Sequence, residues 1–249
     1  MTELVLEELA RRLSRALTQT PRSHRTDEDV IFGPGERQLA QAWADQQRER
    51  IARQGIIAEG AGSDLRRAAV LIPLVARQDG ITVLLTQRTS SLAVHSGQIS
   101  FPGGRLEPED RDARAAALRE TAEEIGLFER HIQLVGELEE YGTVSGFRVT
   151  PVVGIVTPPF SLTPDPKEVA EIFEVPLDFI LDPTNRRHAV ELRGGVERDI
   201  YEIVFARYRI WGFTARLLVR LVEAIETAER VELNDDSSAA DHYRASGEV

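Results

Sequence analysis

Within "SGQISFPGGRLE", residues 96–107, a short alternating run breaks at Pro102-Gly103-Gly104 and gives way to charge. Glycine lets backbone amides and carbonyls come close to an ion or a phosphate, so the pair marks a strand end built for close approach. Just beyond it, "DARAAALRETAEEIG" runs from Asp112 to Gly126. An Asp in the N-cap place, an alanine-rich body and a Gly in the C′ place predict a helix. Each helical residue turns about 100° around the axis, so Glu120, Glu123 and Glu124 at i, i+3 and i+4 share one stripe. Like charges at that spacing repel by about 0.2–0.5 kcal/mol per pair, and a cation is expected beside them. Arg119 can serve one carboxylate. A hard divalent ion, which takes oxygen ligands and substrate phosphates, can serve the others. A solvated acidic helix face is the plain alternative for the same pattern.

The rest of the chain narrows the choice. Its 249 residues, 42% hydrophobic, can bury a real core, and the length suits one domain with extensions. No apolar run approaches the roughly 20 residues needed to span a bilayer, and the start, "MTELVLEELARRLSRAL", is acidic and amphipathic. A soluble, cytoplasmic protein with no membrane partner is expected. The chain has no cysteine, so any metal must sit on oxygen or imidazole. A formal charge of −11 argues against a broad nucleic-acid surface, and an anionic substrate would need cations brought in with it. Lys167 is the only lysine; the other basic residues are arginines, a bias given no functional weight.

Leu6, Leu9, Leu13 and Leu17 recur three or four apart, as one face of a helix does, and "ERQLAQAWADQQRERIARQG" predicts a second helix after linker-like "TQTPRSHRTDED" and "FGPGE". These N-terminal helices read as packing elements or as the seam of a homodimer. Apolar runs flanking Asp79-Gly80 predict a hairpin, and a second hairpin is expected at Gly194-Gly195. "HIQLVGELEEYGTVSGFRVTPVVGIV" predicts further strands broken at Gly142 and Gly146. "FTARLLVRLVEAIETAERV" predicts a closing helix, and the small polar residues after it a disordered tail. Strands and helices mix without regular alternation, which predicts α+β, or α/β with a mixed sheet. The divisions expected are residues 1–66 as a helical extension, 67–230 as the main domain and 231–249 as the tail.

Arg119 to Leu127, "RETAEEIGL", resembles the latter half of the Nudix box, G-x5-E-x7-R-E-U-x-E-E-x-G-U, with U bulky and aliphatic. Thr121 stands at the first U position. The half before Arg119 departs from the spacing: five residues past Gly104 comes Asp110, one residue too far from Arg119, which leaves Asp110, Glu109 and Glu107 as candidates for the first box carboxylate. The resemblance implies a Nudix fold, a mixed β-sheet sandwiched between helices. It also implies Mg2+ or Mn2+ held by Glu120, Glu123 and Glu124 with the carbonyl of Gly103, and Arg119 orienting a box carboxylate.

Upstream, "LLTQRTSSLAVHSGQISFPGG", residues 84–104, is similar to the signature L-L-T-x-R-S-…-G-x-x-x-F-P-G-G of the coenzyme A pyrophosphatase subfamily, with Thr89 for the usual Ser or Ala and Ala93 where many members carry Arg. "TVSGFRVTPVVG", "PKEVAEIFEVPLDFI" and "IWGFTARLL" resemble that subfamily's later segments. The resemblance spans residues 68–218. It implies hydrolysis of the pyrophosphate of coenzyme A or a derivative to 3′,5′-ADP and 4′-phosphopantetheine, by metal-assisted in-line attack of water at phosphorus. Substrate-facing candidates are Arg88, His95, Gly97, Phe101 and Gly104. Glu120, Glu168 and Glu171 are the candidates for general base. The alternatives are a Nudix hydrolase of ADP-ribose or another nucleotide sugar, and a non-catalytic Nudix-fold sensor, against which the retained carboxylates argue.

Overall fold

The computed structural model describes residues 3–18, 65–90, 97–143, 146–193 and 196–245. Strand β1 (Arg66–Arg77) is apolar through most of its length, as a strand covered on both faces must be. It pairs antiparallel with β2 (Gly80–Arg88) and with β4 (Gly103–Arg105). On its other side it runs parallel to β7 (Phe147–Val156), in register from Arg66 opposite Phe147 to Val75 opposite Val156. β3 (Ile99–Ser100) and β8 (Val169–Pro176) extend the sheet from β2, and β5 (Ile132–Glu137) and β6 (Tyr141–Gly142) from β7. The result is a mixed eight-stranded sheet, beside a three-stranded sheet of β9 (Arg186–Arg193), β10 (Val196–Phe205) and β11 (Tyr208–Trp211). This is the mixed-sheet α+β architecture expected.

The alternation of side chains across β1 divides the interior. Ile72 and Leu74 join Val83, Leu85, Phe101, Val153 and Ile155 in the larger core, covered by α1 (Glu3–Thr18), the short α3 (Leu177–Leu181) and α4 (Gly212–Ala245). Ala69 and Leu71 face the other way and meet Ala113, Ala116 and Ala117 of α2 (Ala113–Ile125). A third cluster, with Val75, Leu84, Ile125, Leu127 and Val169, closes the far end of α2.

In α1 the side chains of Ala10, Leu13 and Leu17 are buried, and Leu17 lies so close to Gly136 of β5 that an added Cβ there would stand 2.7 Å from its own Cβ. Helix α1 is therefore a packing element; the second N-terminal helix and the linkers lie outside the described residues. The first hairpin forms one residue earlier than its Asp-Gly signal, with Gln78 and Asp79 in the loop and Gly80, at φ 140°, opening β2 opposite Arg77. Gly194 and Gly195 lie outside the described residues, although β9 and β10 meet at Arg193 and Val196. The closing helix runs on to Ala245, past residue 230 where the disordered tail was expected to begin. No proline or glycine interrupts it from Phe213 to Ala245, so no residue in the expected tail forces the helix to stop. Among the described residues no helix is long and apolar enough to cross a membrane.

Candidate active site

Helix α2 is fixed at both ends by local chemistry. The Asp112 carboxylate accepts from the Ala115 N–H at 2.9 Å, the N-cap bond its position foretold. At the other end Gly126 adopts the left-handed conformation at φ 70° and donates its N–H to the Ala122 carbonyl. Carbonyls that a helix C-terminus leaves unpaired are taken up by the following loop: Thr163 N–H donates to Ile125 and Asp165 N–H to Glu124, both at 2.8 Å. Thr121, polar where the box has an aliphatic residue, is fully buried and donates its hydroxyl to the Ala117 carbonyl at 2.6 Å. The substitution is thus satisfied within the helix.

The two glycines do separate jobs. Gly103 sits at φ 146°, and a Cβ there would run into the Ala69 carbonyl of β1. At Gly104 a Cβ would lie 2.5 Å from the Glu120 carboxyl, so the carboxyl occupies the space that a side chain would take. The Gly103 N–H donates to Glu124 Oε2 at 3.2 Å. The missing side chain at Gly103 thus lets β4 lie against β1, and the one at Gly104 lets the acidic stripe of α2 come up to β4.

Glu124 is only 5% exposed. Burial pushes its carboxyl up to about 7; the Gly103 N–H and Arg88 pull it back, while Glu168 and Glu120 add repulsion. Arg88, at the end of β2, stands 3.7 Å from Glu124 through Nη1 and 3.7 Å from Glu168 through Nη2, bridging the helix to the loop before β8. Glu168 is 47% exposed and can meet solvent. Thr89 holds it there, donating its N–H to the Glu168 carbonyl at 2.9 Å and its hydroxyl to the Lys167 carbonyl at 3.1 Å. Burial also raises the Glu120 carboxyl, against the pull of Arg119.

Arg119 organises the other side. Its Nε and Nη2 grip Asp110 Oδ1 and Oδ2 at 3.1 and 2.9 Å, and its Nη1 reaches Glu120 and Glu123 at 3.1 Å each. Nη2 also donates to the Arg105 carbonyl at 3.1 Å. A bidentate guanidinium grip on a carboxylate is the strong geometry for such a pair. It holds the Asp110 carboxyl below its usual range, with the Glu107 N–H helping at 2.9 Å. Of the three candidates for the first box carboxylate, Asp110 is the one that meets Arg119; Glu107 and Glu109 are exposed. The one-residue spacing departure is absorbed in the turn before α2.

Not every expected residue joins this group. Phe101 is 3% exposed within the larger core, so its side chain anchors the Pro-Gly-Gly turn from below and does not face a substrate. Glu171 pairs with Gln87 in the sheet and accepts from the Tyr208 hydroxyl at 2.8 Å and from Arg207, which commits it to the second sheet and away from Glu124. Gly97, at φ 69°, shapes its turn and accepts from Gln87 Nε2 at 3.3 Å. His95 lies outside the described residues. Glu123 shares Arg119 with Glu120 but is 61% exposed. Among the described residues no three His, Asp or Glu side chains already stand as a metal cage. Two contributions went unread in the sequence: the grip of Thr89 on Glu168, and the backbone cap supplied by Thr163 and Asp165.

Residues 65–193 match the NUDIX domain. The uncharacterized Nudix hydrolase NudL of Photorhabdus laumondii is 37% identical over 161 residues, covering 65% of this chain and 86% of the relative. That of Yersinia pestis is 37% identical over 161 residues, covering 64% and 80%. Similar solved structures include an Ap4A hydrolase of C. elegans (22% identity, TM-score 0.39, 45% of this chain and 80% of the other). Another is the NUDIX domain of Shewanella oneidensis NrtR in complex with ADP ribose (17% identity, TM-score 0.39, 52% and 84%). With the NUDIX domain matched over more than half its length, and with the arginine-braced carboxylate helix docked on its glycine turn, the chain belongs to the Nudix family and is a pyrophosphohydrolase.

Proposed function

We propose that this chain hydrolyses the pyrophosphate of coenzyme A or a close derivative, with Mg2+ or Mn2+, to 3′,5′-ADP and 4′-phosphopantetheine. One observation carries the reading. Arg88 and Gly103 come from opposite ends of the stretch that resembles the coenzyme A signature, and both contact Glu124 of the acidic helix. Signature and helix thus belong to one site, and the signature's role is read as substrate placement over the carboxylates.

The donor chemistry fits a hard divalent ion. Glu120, Glu123, Glu124 and the Gly103 carbonyl offer oxygen alone, and Glu120, Glu124 and Glu168 repel one another in a partly desolvated site. Such an ion, when bound, neutralises the pyrophosphate and acidifies water. The chain's own residues do the rest. Arg119 fixes Glu120 against Gly104, and Arg88 spans Glu124 and Glu168 and offers a guanidinium to a phosphate oxygen. Glu168, more exposed than Glu124 or Glu120, takes the proton of the attacking water.

The test is a product analysis by mass spectrometry after incubation with coenzyme A, its thioesters and ADP-ribose in Mg2+ or Mn2+. The expected result is release of 3′,5′-ADP from the coenzymes at a kcat/KM well above that for ADP-ribose. A strong preference for ADP-ribose would overturn the substrate assignment and leave the carboxylate site standing.

A further inference from the structure

Helix α2 is held from two sides. Among the described residues β4 pairs with β1 alone, and along its outer edge the Gly103 N–H goes to Glu124 and the Arg105 carbonyl to Arg119. On the other side runs the loop of residues 157–168, between β7 and β8. Where it meets the helix this loop reads Thr163-Pro164-Asp165-Pro166-Lys167-Glu168. Each proline fixes its own φ, and a residue that precedes proline is kept out of the helical region, so the segment is stiff before any tertiary contact forms. Gly126 gives it a seat: an added Cβ there would lie 3.2 Å from the Thr163 nitrogen.

Asp165 is the residue on which the loop turns. Its N–H donates to the carbonyl of Glu124, in the last turn of α2, at 2.8 Å. Its own carbonyl accepts from the Glu168 N–H at 3.0 Å and from the Val169 N–H at 2.8 Å. Its Oδ1 accepts from the Lys167 N–H at 2.9 Å and closes the turn between them, a use to which Asp is suited. Two backbone hydrogen bonds of a single residue therefore join Glu124 to Glu168. Thr89, at the end of β2, anchors the same turn from the sheet through its bonds to the Glu168 and Lys167 carbonyls. The Glu168 carboxylate stands 3.7 Å from Arg88, longer than a hydrogen bond, so the turn beneath it sets where it stands.

We propose that Asp165 is a positioning residue which, with Thr89 as the second anchor, ties Glu168 to the end of the acidic helix and fixes its distance from Glu124. The inference rests on the reading of Glu168 as the group that takes the proton of the attacking water. Asp165 acts through Glu168. A misplacement of about 1 Å in a reacting group can cost about a hundredfold in rate, which sets the scale of what the turn protects.

The test is a double-mutant cycle of Asp165→Ala and Glu168→Gln, with the melting temperature as the check on folding. It is read as kcat and KM in Mg2+ on whichever of coenzyme A and ADP-ribose the wild type cleaves, so the substrate assignment does not enter. Glu168→Gln is expected to lower kcat by about a hundredfold or more. Asp165→Ala is expected to lower kcat by about tenfold to a hundredfold with KM nearly unchanged. Asp165→Asn, whose amide oxygen can still accept from the Lys167 N–H, is expected to recover most of that loss. In the Glu168→Gln background Asp165→Ala is expected to slow turnover by less than about twofold more. Equal slowing in both backgrounds, an Asn variant as slow as the Ala variant, or a change in KM alone overturns the proposal and leaves Glu168 as the base. Full kcat in Glu168→Gln means that the base reading fails, and the proposal fails with it. Where Asp165→Ala does not fold, Thr89→Val takes its place in the cycle, removing the hydroxyl bond to the Lys167 carbonyl. A fall in kcat of about fivefold, on the scale of one hydrogen bond, that vanishes in the Glu168→Gln background upholds the proposal. The same fall in both backgrounds overturns it.

Discussion

The two faces of the sheet hold their helices by different means. Helix α4 presents Leu217, Leu218, Leu221, Val222 and Ile225 to the larger core, and area removed from water keeps it there. Helix α2 presents Ala113, Ala116 and Ala117 to Ala69, Leu71 and Val152. Alanines bury little area but let the helix come close to the sheet, and α2 is then pinned by polar contacts: the Asp112 cap, the Arg119–Asp110 grip and the loop amides on its last carbonyls. A face held by aliphatic packing tolerates small shifts. One held by directional bonds keeps carboxylates in place, which is what the chemistry requires.

The sharpest test of this contrast removes one charge from α2. Glu124→Gln is expected to lower hydrolysis by about a thousandfold or more while leaving the fold intact, measured as kcat and as the circular dichroism spectrum. In metal-free protein the same change alters the pH dependence of stability. The folded-state value of about 7 lies above the ordinary 4.5 of Glu124, so the stability this group permits is full below 4.5 and is lost as pH rises through 7. The Gln variant, melted in chelator, is expected to lack most of that decline, about 3 kcal/mol. A wild type whose melting temperature does not fall between pH 5 and pH 8 would count against the buried carboxyl.

On the opposite face, Leu218→Ala is expected to cost about 3 kcal/mol of stability in a denaturant titration, with unchanged kcat in the folded fraction. A loss of kcat larger than the loss of folded protein would mean that the two faces are coupled. Gly104→Ala is expected to reduce kcat by about a hundredfold, because the new methyl displaces the Glu120 carboxyl, with a melting temperature shifted far less than in Leu218→Ala. Smallest is Asp110→Asn, which weakens the grip on Arg119; about a tenfold fall in kcat with KM nearly unchanged is expected, and partial recovery in Asp110→Glu.

Legibility from sequence followed the range of the interactions. Helix α2, its cap at Asp112 and its left-handed Gly126 are set by residues within a few positions of one another, and local pattern was enough to read them. The acidic stripe and its arginine were legible for the same reason. The partner of Arg119 was not, because Asp110 lies nine residues back through an irregular turn in which spacing no longer fixes direction. Glu168 and Glu171 stood as equals in the sequence. They are separated by the irregular register at Gln87 and Arg88 and by the bonds from Thr89, both long-range features. Phe101 was misread because membership of a signature does not tell whether a side chain faces a ligand or the core behind it.

The outer edge of β4 has a consequence beyond catalysis. A bare strand edge is a template on which another chain can pair, and proteins usually guard such edges with charge, bulges or cover. Here the Gly103 amide and the Arg105 carbonyl are occupied by Glu124 and Arg119, so the groups proposed to carry the chemistry also guard this edge against pairing with another chain. Selection for solubility and selection for turnover then act on the same few side chains, and variants that disarm the site inherit a colloidal cost as well as a kinetic one.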